Sequence, residues 1–405
     1  MILFIKTLFF ACKVILNGYI SRRFYDNPKT GVRFIMANDT TSLAMKKDKN
    51  FKGKKFRVAI IGCGGISQAH LNAYKDMPEV EVVAGCDIKQ ECLDRMHEKW
   101  GVPVKSLYKD WKEMIKKEKL DAVDICTPNG VHCAPAIDAC NAGLHVMVEK
   151  PMAMNVAECK KMVAAAKKNN VKLAVGFQQR YHANAEFLVR ARDAGKFGDI
   201  KFVKVQALRR RGIPNWGVFG QKELQGGGPM IDIGVHMIEL AHFIMGQPKP
   251  VAVSGNIWTY LGNKKAETVC PWPNWDYKTY TVEDLAIGQV RFENGAIMQI
   301  ESSFVAHIEK DIHNVTFMGT KGGGSFRPAK IFTDQDGTMI NIEPGYLPNP
   351  DADWVTLFKA KLQNWINAAT KGTPMMADAE EGMTIQKILN GLYDAAEAGK
   401  EIPIK

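Results

Sequence analysis

Phe56-Arg57-Val58-Ala59-Ile60-Ile61-Gly62-Cys63-Gly64-Gly65-Ile66-Ser67 runs from a short apolar segment straight into a glycine-rich turn. Val and Ile favour a buried strand, and the helix-compatible segment Gln68 to Lys75 follows the turn. Strand, turn and helix in this order form the entry to a phosphate-binding βα unit. Gly62 permits the tight turn, and Gly64 lets backbone N–H groups approach a pyrophosphate at the positive end of the helix dipole. The third position of the G-x-G-x-x-G pattern is Ser67, still small enough for close helix–strand packing. Gly-rich turns also occur in plain loops, so the next strand supplies the test.

That strand is Val80-Glu81-Val82-Val83-Ala84-Gly85-Cys86, and it ends at Asp87, twenty residues beyond Ser67. An acidic group at this spacing can hold the adenosine ribose hydroxyls of NAD. The competing role for Asp87 is to cap the helix that starts near Gln90. A carboxylate here would repel a 2′-phosphate, so NAD is expected over NADP, with Lys89 the one neighbouring cation.

The 405 residues suggest about two domains, and 46% hydrophobic with 24% charged residues describes an ordinary soluble protein. The net charge of +11 is localised: residues 1–57 carry 13 Lys or Arg against Asp26, Asp39 and Asp48, a net +10. The rest of the chain is nearly neutral, which excludes a nucleic-acid footprint on it. Residues 1–55 read as a disordered basic extension, or as translation credited from a start upstream of Met36 or Met45. Lys6 and Lys13 interrupt the apolar Met1 to Ile20, so no membrane span or secretory signal is expected; Ser21-Arg22-Arg23-Phe24 lacks the apolar stretch a twin-arginine signal needs. The nine cysteines form no C-x-x-C pair and no zinc spacing, the pattern of buried thiols in a reducing cytoplasm.

Beyond Asp87 helical segments alternate with strands. Gln90 to Trp100 and Trp111 to Lys117 precede the strand Ala122 to Cys126; His132 to Ala142 precedes Leu144 to Val148; Ala157 to Lys168 precedes Val171 to Val175. This predicts a Rossmann domain over 56–178, an α/β fold with a doubly wound parallel sheet whose ligands lie at the carboxyl ends of its strands. A second, α+β domain over 179–345 is expected from the longer strands Ile200 to Leu208, Val251 to Tyr260, Leu285 to Phe292 and Ala296 to Phe304. The last two are joined by Glu293-Asn294-Gly295 as a hairpin, giving an open, mainly antiparallel sheet for substrate binding and oligomerisation. Amphipathic helices in 346–405 return to cover the first domain.

Three segments carry chemistry. Glu149-Lys150-Pro151 ends the Leu144 to Val148 strand, where Pro151 fixes the chain's exit and Lys150 projects into the cleft. Gly226 to Pro229 leads into a helix on which Asp232 and His236, four residues apart, share a face. His exchanges a proton near neutral pH, and a carboxylate beside it can orient the ring or bind a substrate hydroxyl. A hydrogen-bonded core His, or a metal site from Asp232, His236, Glu239 and His242, are the alternatives; no second element supplies further ligands, so no metal is expected. Gln178-Gln179-Arg180 lies at the domain junction, where Arg180 either stitches the domains or touches substrate. Trp216, after Arg209-Arg210-Arg211, and the aromatic run Trp272 to Tyr277 are candidates for a sugar platform.

Together these residues resemble the glucose-fructose oxidoreductase, inositol dehydrogenase and MocA (Gfo/Idh/MocA) family over nearly all of Phe56 to Lys405. The resemblance rests on Gly62-Cys63-Gly64-Gly65-Ile66, Cys126-Thr127-Pro128-Asn129 with His132, Glu149-Lys150-Pro151, Gln178-Gln179-Arg180 and Gly228 through His236. It implies that Gly62, Gly64, Gly65, Ile66, Asp87, Glu149 and Lys150 hold NAD, that Thr127, Pro128 and Asn129 line its nicotinamide side with His132 close by, and that Lys150, Asp232 and His236 form the catalytic group. The implied activity is NAD-dependent oxidation of a ring hydroxyl of a sugar, glycoside or cyclitol, in a homodimer or homotetramer. Two alternatives within the resemblance are cleavage of a glycosidic bond through transient oxidation on retained NAD, and ligand sensing without catalysis.

Overall fold

The computed structural model describes residues 53–348 and 353–404. The extension expected over 1–55 lies almost wholly outside the described residues. Six parallel strands, β1 (Phe56–Ile61), β2 (Val80–Cys86), β3 (Leu107–Tyr108), β4 (Ala122–Ile125), β5 (His145–Val148) and β6 (Leu173–Val175), stand in the order β3-β2-β1-β4-β5-β6. Strand order reverses between β1 and β4, so the crevice at their carboxyl ends is where such a sheet binds ligands. The two-residue β3 is too short to leave a periodic signal in the sequence. Helices α1 (Gly65–Tyr74), α2 (Gln90–Trp100), α3 (Trp111–Lys117), α4 (Cys133–Asn141) and α5 (Val156–Lys168) connect the strands. The strands are apolar inside except for Asp124 of β4, with Ala59, Val123, Ile125, Val146 and Val148 without exposed surface, as burial on both faces demands.

After α6 (Ala183–Asp193) comes a nine-stranded sheet: β7 (Ile200–Leu208), β8 (Pro250–Trp258), β9 (Leu285–Phe292), β10 (Ile297–Ser303), β11 (Ile312–Gly319), β12 (Gly323–Ser325), β13 (Lys330–Gln335), β14 (Thr338–Ile342) and β15 (Ile402–Pro403). Their order is β14-β13-β12-β11-β7-β10-β9-β8-β15, and all neighbours are antiparallel except the parallel pair β7 and β10. Gly295, at φ +80°, closes the β9–β10 hairpin. The sequence carries little signal for β11 to β15: β12, β14 and β15 run three, five and two residues, β13 is mostly polar, and the eight residues of β11 bury only Val315 and Phe317.

The short α7 (Lys222–Gln225) precedes a π-helical turn, Met230–Gly234, that runs directly into α8 (Val235–Ile244). Helices α9 (Trp354–Lys371) and α10 (Ala379–Ala398) follow, α9 packing on α1 and α10 reaching both α5 and β8. Asp353 and Asp378 cap them, accepting hydrogen bonds from Thr356 N–H and from Glu380 and Glu381 N–H. Helices α8 and α10 cover one face of the large sheet; its other face presents Phe202, Ile287, Ile297 and Met318 among polar side chains. The eight cysteines among the described residues are free thiols, six of them buried. No helix among the described residues is long and apolar enough to cross a membrane.

Candidate active site

The crevice at β1 and β4 is shaped by glycine. Gly62 sits at φ +88°, and a Cβ there would lie 2.7 Å from the carbonyl carbon of Cys126 and the nitrogen of Thr127, so the ends of β1 and β4 approach closely only with glycine. A Cβ on Gly64 or Gly65 would instead meet open space. Helix α1 starts without a side-chain cap and with no acid in its first turn, leaving its N–H groups and positive dipole end available to an anion. Ser67 is buried and donates to Gly64 O at 2.8 Å, which locks the turn from behind. Asp87 accepts from Cys63 N–H and from Lys89 N–H, both at 2.8 Å, and the cap position of α2 is Lys89, not Asp87. The carboxylate is thus fixed between the glycine turn and β2. Beside β4, the Thr127 hydroxyl is buried with no partner among the described residues. A polar atom orphaned at this point, an uncapped helix N-terminus and a half-exposed carboxylate together fit a dinucleotide.

Lys150 emerges at the end of β5 just before the cis peptide to Pro151. Its Nζ donates to the Asp232 carbonyl at 2.9 Å and lies 3.3 Å from Asp232 Oδ1. Asp232 belongs to the π turn, one of the irregularities that frequently mark functional sites. The single α-helix expected to carry Asp232 and His236 is therefore a π turn followed by α8. The turn is anchored by Glu283, buried and unremarked in the sequence, which accepts from Gly228 N–H at 2.8 Å, Met230 N–H at 3.2 Å and Tyr393 O–H at 2.9 Å. A Cβ on Gly228 would come within 2.0 Å of Glu283 O, so this junction requires glycine. His236, at the start of α8, is part-exposed, stands edge-on to Trp354 with ring centroids 6.3 Å apart, and has no hydrogen-bond partner for its ring among the described residues. Burial, and then the positive charge of Lys150, hold its imidazole well below the ordinary histidine value. His236 is therefore neutral at neutral pH and free to accept a proton.

Several residues expected at the cofactor are engaged within the protein. Glu149 is buried: its Oε1 is 2.9 Å from His70 Nε2 and ion-paired with Lys361 Nζ, while Oε2 accepts from Lys150 N–H at 3.2 Å. His70 Nδ1 lies 2.6 Å from Asp124 Oδ2, which also accepts from Tyr74 O–H at 2.8 Å. Burial is the largest influence and opposes the charged form of Glu149, but the Lys361 ammonium and His70 together outweigh it and keep the carboxyl well below its usual range. Burial likewise opposes the His70 imidazolium, and the Asp124 carboxylate, with the hydrogen bonds to Asp124 and Glu149, overcomes it and raises that pKa. Lys361 brings α9 into this network, and Asp124 inside an otherwise apolar strand is its one visible trace in the sequence. His70, Asp124 and Cys126 lie within 4.8 Å of one another, but the Lys361 ammonium, 3.2 Å from His70 Nε2, already supplies the countercharge a cation would bring. His132 is also fully buried; its Nδ1 and Nε2 each lie 2.9 Å from a backbone carbonyl, of Pro151 and Thr127, so it splints two loops. The Asn129 amide donates to Gln225 O at 2.8 Å.

Arg180 is without exposed surface; it pairs with Glu239 and Glu381 and donates to Met376 O, tying α8 to the start of α10. That pairing also consumes Glu239, and His242 Nε2 is bound at 2.9 Å to the Pro248 carbonyl, so the set Asp232, His236, Glu239 and His242 does not assemble around a metal. On the substrate side, Arg209 Nη1 lies 4.0 Å from Asp232 Oδ2, and its guanidinium carbon sits 4.9 Å from the Trp272 ring centroid. Trp272 stands edge-on to Trp216 at 4.9 Å.

A parallel sheet with a glycine turn, an acid after β2, and a Lys, Asp and His group at the mouth defines a dinucleotide-binding oxidoreductase. The chain belongs to the oxidoreductase family designated GFO_IDH_MocA: residues 56–177 match its NAD-binding Rossmann fold and residues 193–405 its C-terminal alpha/beta domain. It is 36% identical to D-glucoside 3-dehydrogenase of Escherichia coli (strain K12) over 351 residues, 86% of this chain and 97% of that protein. It is 28% identical to myo-inositol 2-dehydrogenase of Thermotoga maritima, covering 80% of this chain and 92% of that one. Among solved structures, the aldose-aldose oxidoreductase from Caulobacter crescentus shares the fold, with a TM-score of 0.71 and 24% identity over 86% of this chain and all of that one.

Proposed function

We propose that this protein is an NAD-dependent dehydrogenase that oxidises a ring hydroxyl of a glucoside, with carbon 3 as the reacting centre. The observation that carries the reading is the Lys150, Asp232 and His236 group at the mouth of the NAD-binding crevice; the glucoside and its carbon follow the 36% identical relative. Gly62, Gly64, Gly65 and Ile66 hold the pyrophosphate, Asp87 the adenosine ribose, and Thr127 with Pro128 the nicotinamide side. The cofactor supplies the hydride acceptor. His236, neutral, removes the hydroxyl proton through a ring nitrogen. Lys150 donates a hydrogen bond to the same oxygen as it becomes a carbonyl, and Asp232 orients Lys150 and a neighbouring substrate hydroxyl. Asp87 favours NAD over NADP by repelling a 2′-phosphate. The free thiols fit a cytoplasmic setting, and the part-apolar outer face of the large sheet fits pairing with a second copy.

The test is a panel of glucosides, free sugars and inositols with NAD and with NADP, read by absorbance of the reduced cofactor. Turnover confined to glucosides with NAD supports the proposal, and an inositol as the best substrate overturns the choice of substrate. The electrostatics add a pH signature. A base works when deprotonated, so a depressed His236 pKa carries activity to lower pH: the acid limb of kcat/KM should fall below pH 6.5, the ordinary histidine value. In Lys150→Met the repulsion from the ammonium is gone, and the acid limb of the residual activity should move upward.

A further inference from the structure

Two aromatic loops adjoin the catalytic group through Arg209, and we propose that Trp216 and Trp272 form a second-ring subsite that takes the aglycone of a glycoside. This rests on the reading that the sugar ring is oxidised at Lys150, Asp232 and His236. The subsite is connected to that group by an unbroken series of contacts. Asp232 Oδ2 is 4.0 Å from Arg209 Nη1; the Arg209 guanidinium lies 4.9 Å from the Trp272 centroid and 5.3 Å from that of Phe304; Trp272 meets Trp216 at 4.9 Å and 86°. The Arg209 side chain thus stands between Asp232 and the tryptophan pair, so the pair adjoins the catalytic group without belonging to it.

The platform is built rather than incidental. Asn215 Nδ2 donates to Pro273 O at 2.7 Å, Thr281 N–H to Gly220 O at 2.8 Å, and Lys222 N–H to Thr281 Oγ1 at 2.9 Å, so the two loops are sewn together on both sides of the tryptophans. Trp275, buried, donates its indole N–H to Gly262 O at 2.8 Å and anchors the second loop in the core. Trp216 is nonetheless 51% exposed and is held at its far edge by Phe219, 6.2 Å away. A rigidly held, half-exposed indole is a preorganised face for the C–H surface of a sugar or the π face of an aryl group. Arg209, whose Nη1 donates to Gly212 O at 2.9 Å, stands at the boundary between the catalytic group and the tryptophans.

The experiment compares methyl, phenyl and glucosyl glucosides on the wild-type protein and on Trp216→Ala. Calorimetric affinities and kcat/KM are both measured, and because binding is read separately, absence of turnover overturns the catalytic reading without deciding the subsite. The wild type should bind phenyl glucoside, the disaccharide, or both about tenfold more tightly than methyl glucoside, the scale of one good aromatic contact. Trp216→Ala should lose that preference while its affinity for methyl glucoside stays within about twofold. A preference for phenyl alone marks an aryl aglycone, for the disaccharide alone a sugar. Equal affinities for all three in the wild type, or a uniform loss in Trp216→Ala, overturn the proposal.

Discussion

Replacing His236 by alanine should lower kcat by a factor between about 10² and 10⁴, the usual contribution of a positioned general base, with NAD affinity unchanged. The size follows from the site's construction. The ring has no hydrogen-bond partner among the described residues, so its removal breaks no structural bond; burial and Lys150 keep it neutral, so the whole population of wild-type enzyme carries an active base at neutral pH. No second group can stand in at the same atom, since Asp232 is already engaged by Lys150 and faces Arg209. Steady-state kinetics with a glucoside and NAD, beside a calorimetric NAD titration, check this. Added imidazole should restore part of the rate by occupying the vacated space. Full turnover in the variant would remove His236 from the mechanism.

Arg180→Met should cost about 3–5 kcal/mol of folding stability, the scale for breaking a buried ion pair by removing one partner. In this chain the loss leaves two carboxylates, Glu239 and Glu381, facing the same emptied space, with the Met376 carbonyl also unpaired. Burial pulls the Glu239 carboxyl above its ordinary value and Arg180 pulls it back; with Arg180 gone only the upward pull remains. A carboxyl with a raised folded pKa destabilises the fold at pH above the ordinary carboxylate value, so the deficit should shrink as the pH falls and Glu239 takes up a proton. Urea denaturation at neutral and acidic pH measures both. A deficit below about 1 kcal/mol at neutral pH would show that the pairing contributes little and that α8 and α10 are held by apolar packing alone.

The contrast between these two residues shows which parts of the site were legible in the sequence. Gly62, Asp87 and Lys150 are legible as candidates because their chemistry is tied to local punctuation: each lies where a strand ends, the edge at which such a sheet binds ligands. Asp232 and His236 were readable by spacing, although the intervening turn is π-helical and the spacing does not reveal it. Glu149, His132 and Arg180 sit in the same recognisable segments, yet the fold turns them inward. Neighbours in sequence share an address but not a direction: Glu149 follows β5, His132 precedes α4 and Arg180 sits in a 3-10 turn, and the contacts that bury them come from elements distant in the chain. Glu283 and Lys361 left no local sign at all. Each acts on a segment far away in the chain, Glu283 on the turn at Gly228 to Met230 and Lys361 on Glu149, so their roles exist only once the two sheets and α9 have packed. The short strands β11 to β14 escaped for a related reason: they are held by their neighbours in the ladder more than by their own composition.

The central claim is that hydride leaves carbon 3 of a glucoside for NAD while His236 takes the hydroxyl proton. Methyl glucoside carrying deuterium at carbon 3 tests it in one measurement, a mass analysis of the reduced cofactor after turnover. One deuterium in each molecule of NADH, with a 3-keto glucoside as the product, is the predicted result. Unlabelled NADH, or consumption of the glucoside with no NADH formed, would contradict it.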